Sequence, residues 1–381
     1  MSLLRKTLAV ALAALSVSIG LSPVASSAPP RIVGAYYGNW YSESYPISAI
    51  PTDTPITHLF YAFALIENGK CVMPAPTAAR DFADIRALKQ RKPSLKALIS
   101  LGGWGAGGFS DAALTSASRQ TLVQSCVDLF FRDRTFDGLD IDWEFPVYGG
   151  PADIKDRPED KHNMTLLAQD FKRALGSRLV TAALPTGRLQ TDGSYDPARS
   201  FELGALAGVL DFINVMTYDM GTGFSPVATF NAPMREVAAD PMPRADRKWN
   251  NVVRAVEYYE RHGVSPRKMV LGVPFYGRGF VVRSEGSQHG LYQPYESTFW
   301  VDGYTDVQKL RATPGWKEYW HPVAQSPWLY NAAERKFVSF ESPRSIGLRA
   351  SFAKSKGLLG TFMWELGNDD AQHSLLNAMS R

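Results

Sequence analysis

The sequence predicts an α/β fold in which eight parallel strands alternate with helices and close into a (β/α)8 barrel, the TIM-barrel architecture. Two observations support this prediction. Eight short runs rich in β-branched and aromatic residues recur along the 381 residues, and amphipathic helical patterns separate them. The third, fourth and fifth runs start at residues 95, 136 and 178, a spacing that suits one strand followed by one helix.

Each predicted strand is a short apolar run, and turn residues flank most of them. In chain order they are RIVGAYYGNW from Arg31, ITHLFYAFALI from Ile56, LKALISLGGW from Leu95, FDGLDIDWEF from Phe136, RLVTAALPT from Arg178, VLDFINVMTYD from Val209, KMVLGVPFYGRGF from Lys268 and GLLGTFMWEL from Gly357. Helical patterns occupy residues 81–92, 118–133, 160–175, 250–263 and 344–357. This alternation is typical of a parallel sheet whose neighbouring strands are joined by helices.

The interval between the seventh and eighth strands is much longer than the others. These strands start at residues 268 and 357, more than twice the spacing seen earlier in the chain. The extra residues contain aromatic segments and many turn residues. We therefore predict a small α+β insertion at about 280–342, inside a catalytic barrel domain that spans residues 29–381. A second long loop, rich in Pro and Met, is predicted at about 222–247.

The first 28 residues have the composition of a secretory signal peptide. Two basic residues precede an apolar stretch, and small residues follow at a plausible cleavage site. An uncleaved membrane anchor is the alternative, although the apolar stretch is short for a bilayer. After cleavage we expect a secreted, extracellular protein without membrane attachment.

Charge and cysteine content exclude some partners and leave one question open. The chain has 41 basic and 37 acidic residues, a formal charge of +4, and no long basic run, so nucleic acid is not an expected partner. Two cysteines are present, Cys71 and Cys126, which could form a disulfide or remain buried thiols.

The stretch FDGLDIDWEFP, residues 136–146, carries the strongest chemical signal. Residues two apart in a strand share a face, so Asp140, Asp142 and Glu144 lie on one side, with large apolar residues on the other. In a barrel these acids point inward and end at the C-terminal mouth. A calcium loop is the alternative, but the stretch lacks the glycine that such a loop needs. We predict no metal and no cofactor.

Carboxyl groups this close together raise one another's pKa, so at least one remains protonated near neutral pH. A protonated carboxyl at the mouth of a barrel is what a general acid requires. Asp137 lies on the opposite parity at the start of the strand, and we expect it to support the structure.

The chain resembles the family-18 glycoside hydrolases, the chitinases. The resemblance is carried by the complete motif D-G-x-D-x-D-W-E at 137–144, and by shorter segments that each fall at the end of a predicted strand. These are SLGG at 100–103 followed by Trp104, MTYD at 216–219, YGR at 276–278, MWEL with Trp364, and AYYGNW with Tyr36. The inserted region also resembles an insertion found in one subgroup of the family.

The resemblance implies a chitinase that hydrolyses β-1,4 linkages between N-acetylglucosamine units. The family uses the N-acetyl oxygen of the substrate as the nucleophile, with retention of configuration. Glu144 would be the general acid and base, Asp142 would hold the acetamido N–H, and Tyr218 would bind the acetamido oxygen. Asp140 would share a proton with Asp142 and have Tyr36 and Ser100 as its partners. The implied substrate-binding residues are Tyr36, Ser100, Trp104, Asp219, Arg278, Trp364 and Phe224.

One position departs from many relatives, which carry a Trp where this chain has Phe224, so binding of the leaving sugar is expected to differ. Two alternative functions share the fold. A chitin-binding lectin typically lacks the catalytic Glu, which is present here as Glu144, and an enzyme acting on the chitobiose core of N-glycans is disfavoured by the insertion. We expect chitin or chitooligosaccharides as substrate, and a monomer.

Overall fold

The computed structural model describes residues 31–187 and 196–381. In these ranges eight parallel strands form a closed barrel, because β1 pairs with both the last barrel strand and the second. The barrel strands are β1 (Ile32–Gly38), β2 (His58–Glu67), β4 (Lys96–Gly102), β5 (Gly138–Asp142), β6 (Leu179–Pro185), β7 (Phe212–Met216), β8 (Met269–Pro274) and β14 (Gly360–Trp364). Seven of them lie inside the segments predicted from the sequence, β2 extends one residue beyond its segment to Glu67, and the predicted fold class is confirmed.

Helices alternate with the strands along the chain. They are α1 (Ala78–Arg91), α2 (Phe109–Ala113), α3 (Ser116–Phe130), α4 (Asp160–Leu175), α5 (Pro197–Ser200), α6 (Leu203–Val209), α7 (Arg244–Trp249), α8 (Val252–Arg261), α9 (Tyr304–Ala312), α10 (Pro343–Ser355) and α11 (Ser374–Met379). The five helical patterns of the sequence correspond to α1, α3, α4, α8 and α10. The predicted signal peptide at 1–28 lies outside the described residues.

Strand β5 shows the alternation expected of a barrel strand. Leu139, Ile141 and Trp143 belong to the large apolar core that includes the helices, and Trp143 stacks on Phe109 with ring centroids 5.1 Å apart. The carboxyl of Asp140 lies on the other side of the strand, where it contacts residues of neighbouring barrel strands. Packing of the apolar face therefore fixes the direction of the acids.

A second sheet occupies the long interval between β8 and β14. Its five antiparallel strands are β9 (Gly277–Val282), β10 (Tyr295–Val301), β11 (Trp316–His321), β12 (Ser326–Asn331) and β13 (Lys336–Ser339), in the order β10-β9-β13-β12-β11. The sequence extended strand seven to Phe280, but β8 ends at Pro274. Its parallel pairing with β14 reaches only to Pro274, and residues from Gly277 pair antiparallel with β10 and β13 instead.

A buried ion pair connects helix α10 with the segment that follows β13 of the second sheet. Arg349 on α10 contacts Glu341 at 2.7 Å, and both side chains are almost completely buried. The same guanidinium donates to the Ser326 hydroxyl on β12, 3.3 Å away, and to the backbone oxygen of Ala232 in the long loop after β7. One side chain thus joins a helix, the second sheet and a loop.

The structure pairs the two cysteines, which the sequence left open. Cys71 on the short strand β3 (Lys70–Val72) forms a disulfide with Cys126 on α3, with the two Cα atoms 5.1 Å apart. In residues 31–187 and 196–381, no helix combines the length and the apolar composition that crossing a bilayer requires.

Candidate active site

A cleft of about 860 Å³ opens at the carboxyl ends of the barrel strands. It is lined by side chains from the ends of several strands, from the loop after β7 and from the second sheet. They include Tyr36, Trp40, Phe63, Trp104, Asp142, Glu144, Met216, Tyr218, Asp219, Phe224, Tyr276, Arg278, Trp300, Asp302, Trp364 and Glu365. This is the face at which barrel enzymes carry out their chemistry.

Asp140 lies beneath the cleft floor in a network of hydrogen bonds. Its Oδ2 accepts from the hydroxyls of Tyr36 at 2.7 Å and Ser100 at 2.8 Å, the two partners expected from the sequence. Its Oδ1 accepts from Thr181 at 2.6 Å and, at 3.4 Å, from Asn214. Burial raises the pKa of Asp140, and these hydrogen bonds oppose the shift because they stabilise the ionised form.

Asp142 and Glu144 follow on the same face of the strand and reach the cleft. Burial, followed by the charges of Glu144 and Asp140, raises the pKa of Asp142 well above its ordinary value. Burial and the charge of Asp219 raise the pKa of Glu144 to about 8. The Oδ1 atom of Asp142 is buried and has no hydrogen-bond partner among the described residues. At neutral pH Glu144 is therefore protonated, the protonated form of Asp142 is favoured, and Asp142 retains an oxygen available to a ligand.

Ser100 has a different position from the other predicted substrate-binding residues. It is completely buried, and its hydroxyl contacts Asp140. Tyr36 also contacts Asp140 and in addition lines the cleft. Ser100 therefore acts on the site through Asp140.

Asp219 adopts a left-handed backbone conformation, with φ of 57°, which Asp tolerates better than most residues. Strict alternation would direct Asp219 and Tyr218 to opposite sides, yet both line the cleft. The Oδ1 atom of Asp219 accepts from the Tyr276 hydroxyl at 2.7 Å and from Nε of Arg278 at 3.0 Å. These contacts fix an acidic group, a phenol and a guanidinium at one side of the cleft.

Aromatic side chains supply apolar surface in the cleft. Trp364 lies at the end of β14 and stacks on Phe63, with centroids 5.7 Å apart and an angle of 21°. Trp104 and Phe224, both predicted, line the cleft with about half of their surface exposed. Trp40 and Trp300 have the same character and were missed by the sequence analysis.

The sequence pattern could have indicated one site residue that was not predicted, Asn214. Asn214 lies two positions before Met216 and four before Tyr218 on β7, so strand alternation alone directs it into the barrel. Its amide also donates to the Tyr36 hydroxyl at 3.0 Å. Trp300 offered no such signal, because its position depends on how the second sheet folds over the barrel.

The order and spacing of these groups match a known family over nearly the whole described chain. Residues 32–369 match the model of the glycosyl hydrolases family 18. The chain belongs to this family. The membership predicted from the strand-four motif is thus confirmed, and so is the predicted enzyme class, a chitinase.

Similar proteins agree with this assignment. Chitinase A1 of Niallia circulans is 33% identical over an alignment of 417 positions, gaps included, which covers 92% of this chain and 58% of that protein. Chitotriosidase-1 of Mus musculus is 31% identical, with 90% of this chain and 74% of that protein covered. A variant of catalytic domain 2 of the Group II chitinase of Ostrinia furnacalis, solved with penta-N-acetylchitooctaose, superposes with a TM-score of 0.80 at 25% identity and covers 92% of this chain and 95% of that one.

Proposed function

We propose that this protein is a secreted chitinase that hydrolyses β-1,4 linkages between N-acetylglucosamine units by a retaining, substrate-assisted mechanism. The observation that carries the proposal is the row of buried carboxyls on β5, with Glu144 at its end in an aromatic cleft. An oligosaccharide of N-acetylglucosamine fits this cleft chemically, since its apolar ring faces match the indoles and its polar groups match Asp219 and Arg278.

Glu144 acts first as a general acid. Its pKa of about 8 keeps it protonated at neutral pH, so it can donate a proton to the glycosidic oxygen as the bond to the anomeric carbon breaks. The resulting carboxylate later removes a proton from the water that attacks the same carbon. One residue thus supplies and recovers a single proton in each cycle.

Asp142 is a poor candidate for a carboxylate nucleophile. Burial and the neighbouring carboxyl charges raise its pKa well above the ordinary value, which favours the protonated form, and a protonated carboxyl is not nucleophilic. The acetamido carbonyl oxygen of the substrate forms the new bond to the anomeric carbon instead and gives an oxazolinium ring. The unpartnered Oδ1 of Asp142 accepts the acetamido N–H.

Asp140 lets Asp142 balance the positive charge that develops on this ring, because it can accept the proton of Asp142. It accepts four hydrogen bonds, which favour its ionised form, whereas Asp142 has the pKa raised further. In the free enzyme the proton shared by the pair resides on Asp142. Its transfer toward Asp140 leaves Asp142 negative beside the positive ring. The Tyr218 hydroxyl orients the acetamido oxygen for attack.

Two further parts of the proposal concern the whole chain. The insertion at 280–342 forms one wall of the cleft, which the cleft-lining positions of Trp300 and Asp302 support. Secretion through the peptide at 1–28 agrees with the disulfide, because disulfides persist in oxidising compartments. We propose that the secreted enzyme acts as a monomer.

Substrate assistance predicts a strict requirement for the N-acetyl group. Chitin oligomers are expected to be cleaved to products that first appear as the β anomer, because two displacements occur at one carbon. Cellulose oligomers have the same linkage but carry a hydroxyl in place of the acetamido group, so they are expected to remain intact. NMR of the first products from a chitin hexamer and a cellulose hexamer measures both. An initial α anomer, or comparable cleavage of cellulose, would exclude the mechanism.

The pH profile is a second expected result. On its alkaline side, kcat/KM on chitin oligomers should fall as the pH rises through about 8, where free Glu144 loses the proton it must donate. From pH 4.5 to about 8 the unfolded chain has released this proton while the folded chain retains it, so Glu144 lowers stability as pH rises. Circular dichroism over the same range separates this effect from catalysis. A profile that stays flat past pH 9 with the fold intact would contradict the role of Glu144.

A further inference from the structure

We propose that Glu365 is a positioning residue whose carboxyl holds the indole of Trp40 in place, so that Trp40 can contact a sugar unit next to the one over Trp364. The inference deepens the proposed function and rests on it, since it concerns how the same cleft binds a longer chitin chain. Neither Glu365 nor Trp40 was among the residues predicted from the sequence.

The contact joins an exposed ring to a buried carboxyl. Trp40 is 51% exposed, whereas Glu365 is 4% exposed. The indole Nε1 donates to Oε1 of Glu365 at 3.1 Å. Trp40 lies on a single 3-10 turn (Asn39–Tyr41) after β1, and its ring has the rings of Tyr41, Phe63 and Trp364 as neighbours on one side. The hydrogen bond to Glu365, which is itself held by packing, adds a directional contact that fixes the orientation of the ring.

Gly38 shows how closely this pair is packed on the barrel. A Cβ atom at Gly38 would lie 2.1 Å from the Trp40 ring and 2.6 Å from Oε2 of Glu365. Both side chains therefore cover the backbone at the end of β1, and only glycine leaves them room. The pair forms one unit with the last residue of the strand.

The indoles of Trp40 and Trp364 are oriented differently, so they present two separate surfaces to the cleft. The centroids of Trp40 and Trp364 are 6.2 Å apart, and their planes differ by 49°. Phe63 stacks on Trp364 but lies at 40° to Trp40. Two indoles at such an angle cannot stack on the same face of one sugar. Trp40 thus presents its surface to a neighbouring unit, which only longer oligomers supply.

The role of Glu365 requires an acceptor oxygen and not a charge. Burial raises the pKa of Glu365 to about 8, while the hydrogen bonds from Trp40 and from the backbone of Gly38 oppose the shift. At neutral pH the carboxyl is protonated, and its carbonyl oxygen accepts the indole N–H. Glutamine presents the same carbonyl oxygen, whereas alanine presents none. Comparing the glutamine and alanine variants therefore tells whether Glu365 acts through its acceptor oxygen or through its charge.

The test compares Glu365→Ala, Glu365→Gln, Trp40→Phe and the double variant Trp40→Phe/Glu365→Ala on a chitin hexamer and on a fluorogenic N-acetylglucosamine dimer. Loss of one hydrogen bond is expected to raise KM for the hexamer up to about tenfold with Glu365→Ala, with kcat within about twofold. The rise should be much smaller for the dimer. Glu365→Gln should stay within about twofold of the parent, and the double variant should be no worse than the more affected single variant.

Calorimetry of hexamer binding is measured in parallel and should give the same order of variants. Three results would overturn the inference. They are hexamer binding by Glu365→Gln as weak as that by Glu365→Ala, an equal rise in KM on both substrates, and a loss in the double variant equal to the sum of the two single losses. Trp40→Phe keeps a ring and removes the N–H, so it tests the same bond if Glu365→Ala does not fold. A parent enzyme inactive on the hexamer would refute the proposed function instead, while the binding order still tests the role of Glu365.

Discussion

Replacing Glu144 with Gln is expected to lower kcat on chitin oligomers by about 10³-fold or more, while binding of the oligomers stays near that of the parent. The amide has nearly the shape of the carboxyl but cannot donate a proton to the glycosidic oxygen, and general acid catalysis contributes roughly 10² to 10⁴-fold. Single-turnover kinetics measures the loss, and calorimetry measures binding. Glu144 ends the row of acids and lines the cleft, which places it within reach of a bound oligomer.

The matched control is Glu43→Gln, the same change at an exposed residue outside the cleft, which should keep the parent rate. Stability gives an independent readout. Glu144 has a pKa of about 8 in the folded protein, so ionising it at higher pH destabilises the fold. Glu144→Gln should therefore raise the melting temperature relative to the parent more at pH 9 than at pH 6. Activity within tenfold of the parent would exclude Glu144 as the acid.

Replacing Arg349 with Met is expected to lower the free energy of unfolding by about 3–5 kcal/mol, the cost typical of removing one partner of a buried ion pair. Glu341 would remain buried without its cation. Burial raises the pKa of this carboxyl to about 7, and the charge of Arg349 opposes that rise. The backbone oxygen of Ala232 and the hydroxyl of Ser326 would lose a donor as well. Urea unfolding followed by circular dichroism measures the change.

Arg132→Met is the matched control, because Arg132 forms an exposed ion pair with Asp128 at 3.1 Å. Such pairs contribute about 0–1 kcal/mol, so the loss should be small. Adding Glu341→Leu to Arg349→Met should restore part of the stability, since no unpaired charge then remains in the interior. A loss at Arg349 no larger than at Arg132 would show that the buried pair does not hold the second sheet in place.

Much of the fold could be read from the sequence because its signals are local. Strand alternation at Asp140, Asp142 and Glu144 determined which side chains point inward, and the apolar partners Leu139, Ile141 and Trp143 are in the core as expected. Regular spacing of strands and helices determined the barrel. The long interval after strand seven indicated the insertion, although the second sheet begins at Gly277, where pairing depends on strands distant in sequence.

By itself, the sequence determined the barrel, the row of acids and the family. Only the tertiary structure decided the pairing of Cys71 with Cys126, the support of Asp140 by Thr181 and Asn214, and the contact between Glu365 and Trp40. The physical reason is the range of the interactions. Periodicity reflects each residue's own neighbours along the chain, whereas these contacts join residues up to 325 positions apart, and closure of the barrel brings them together.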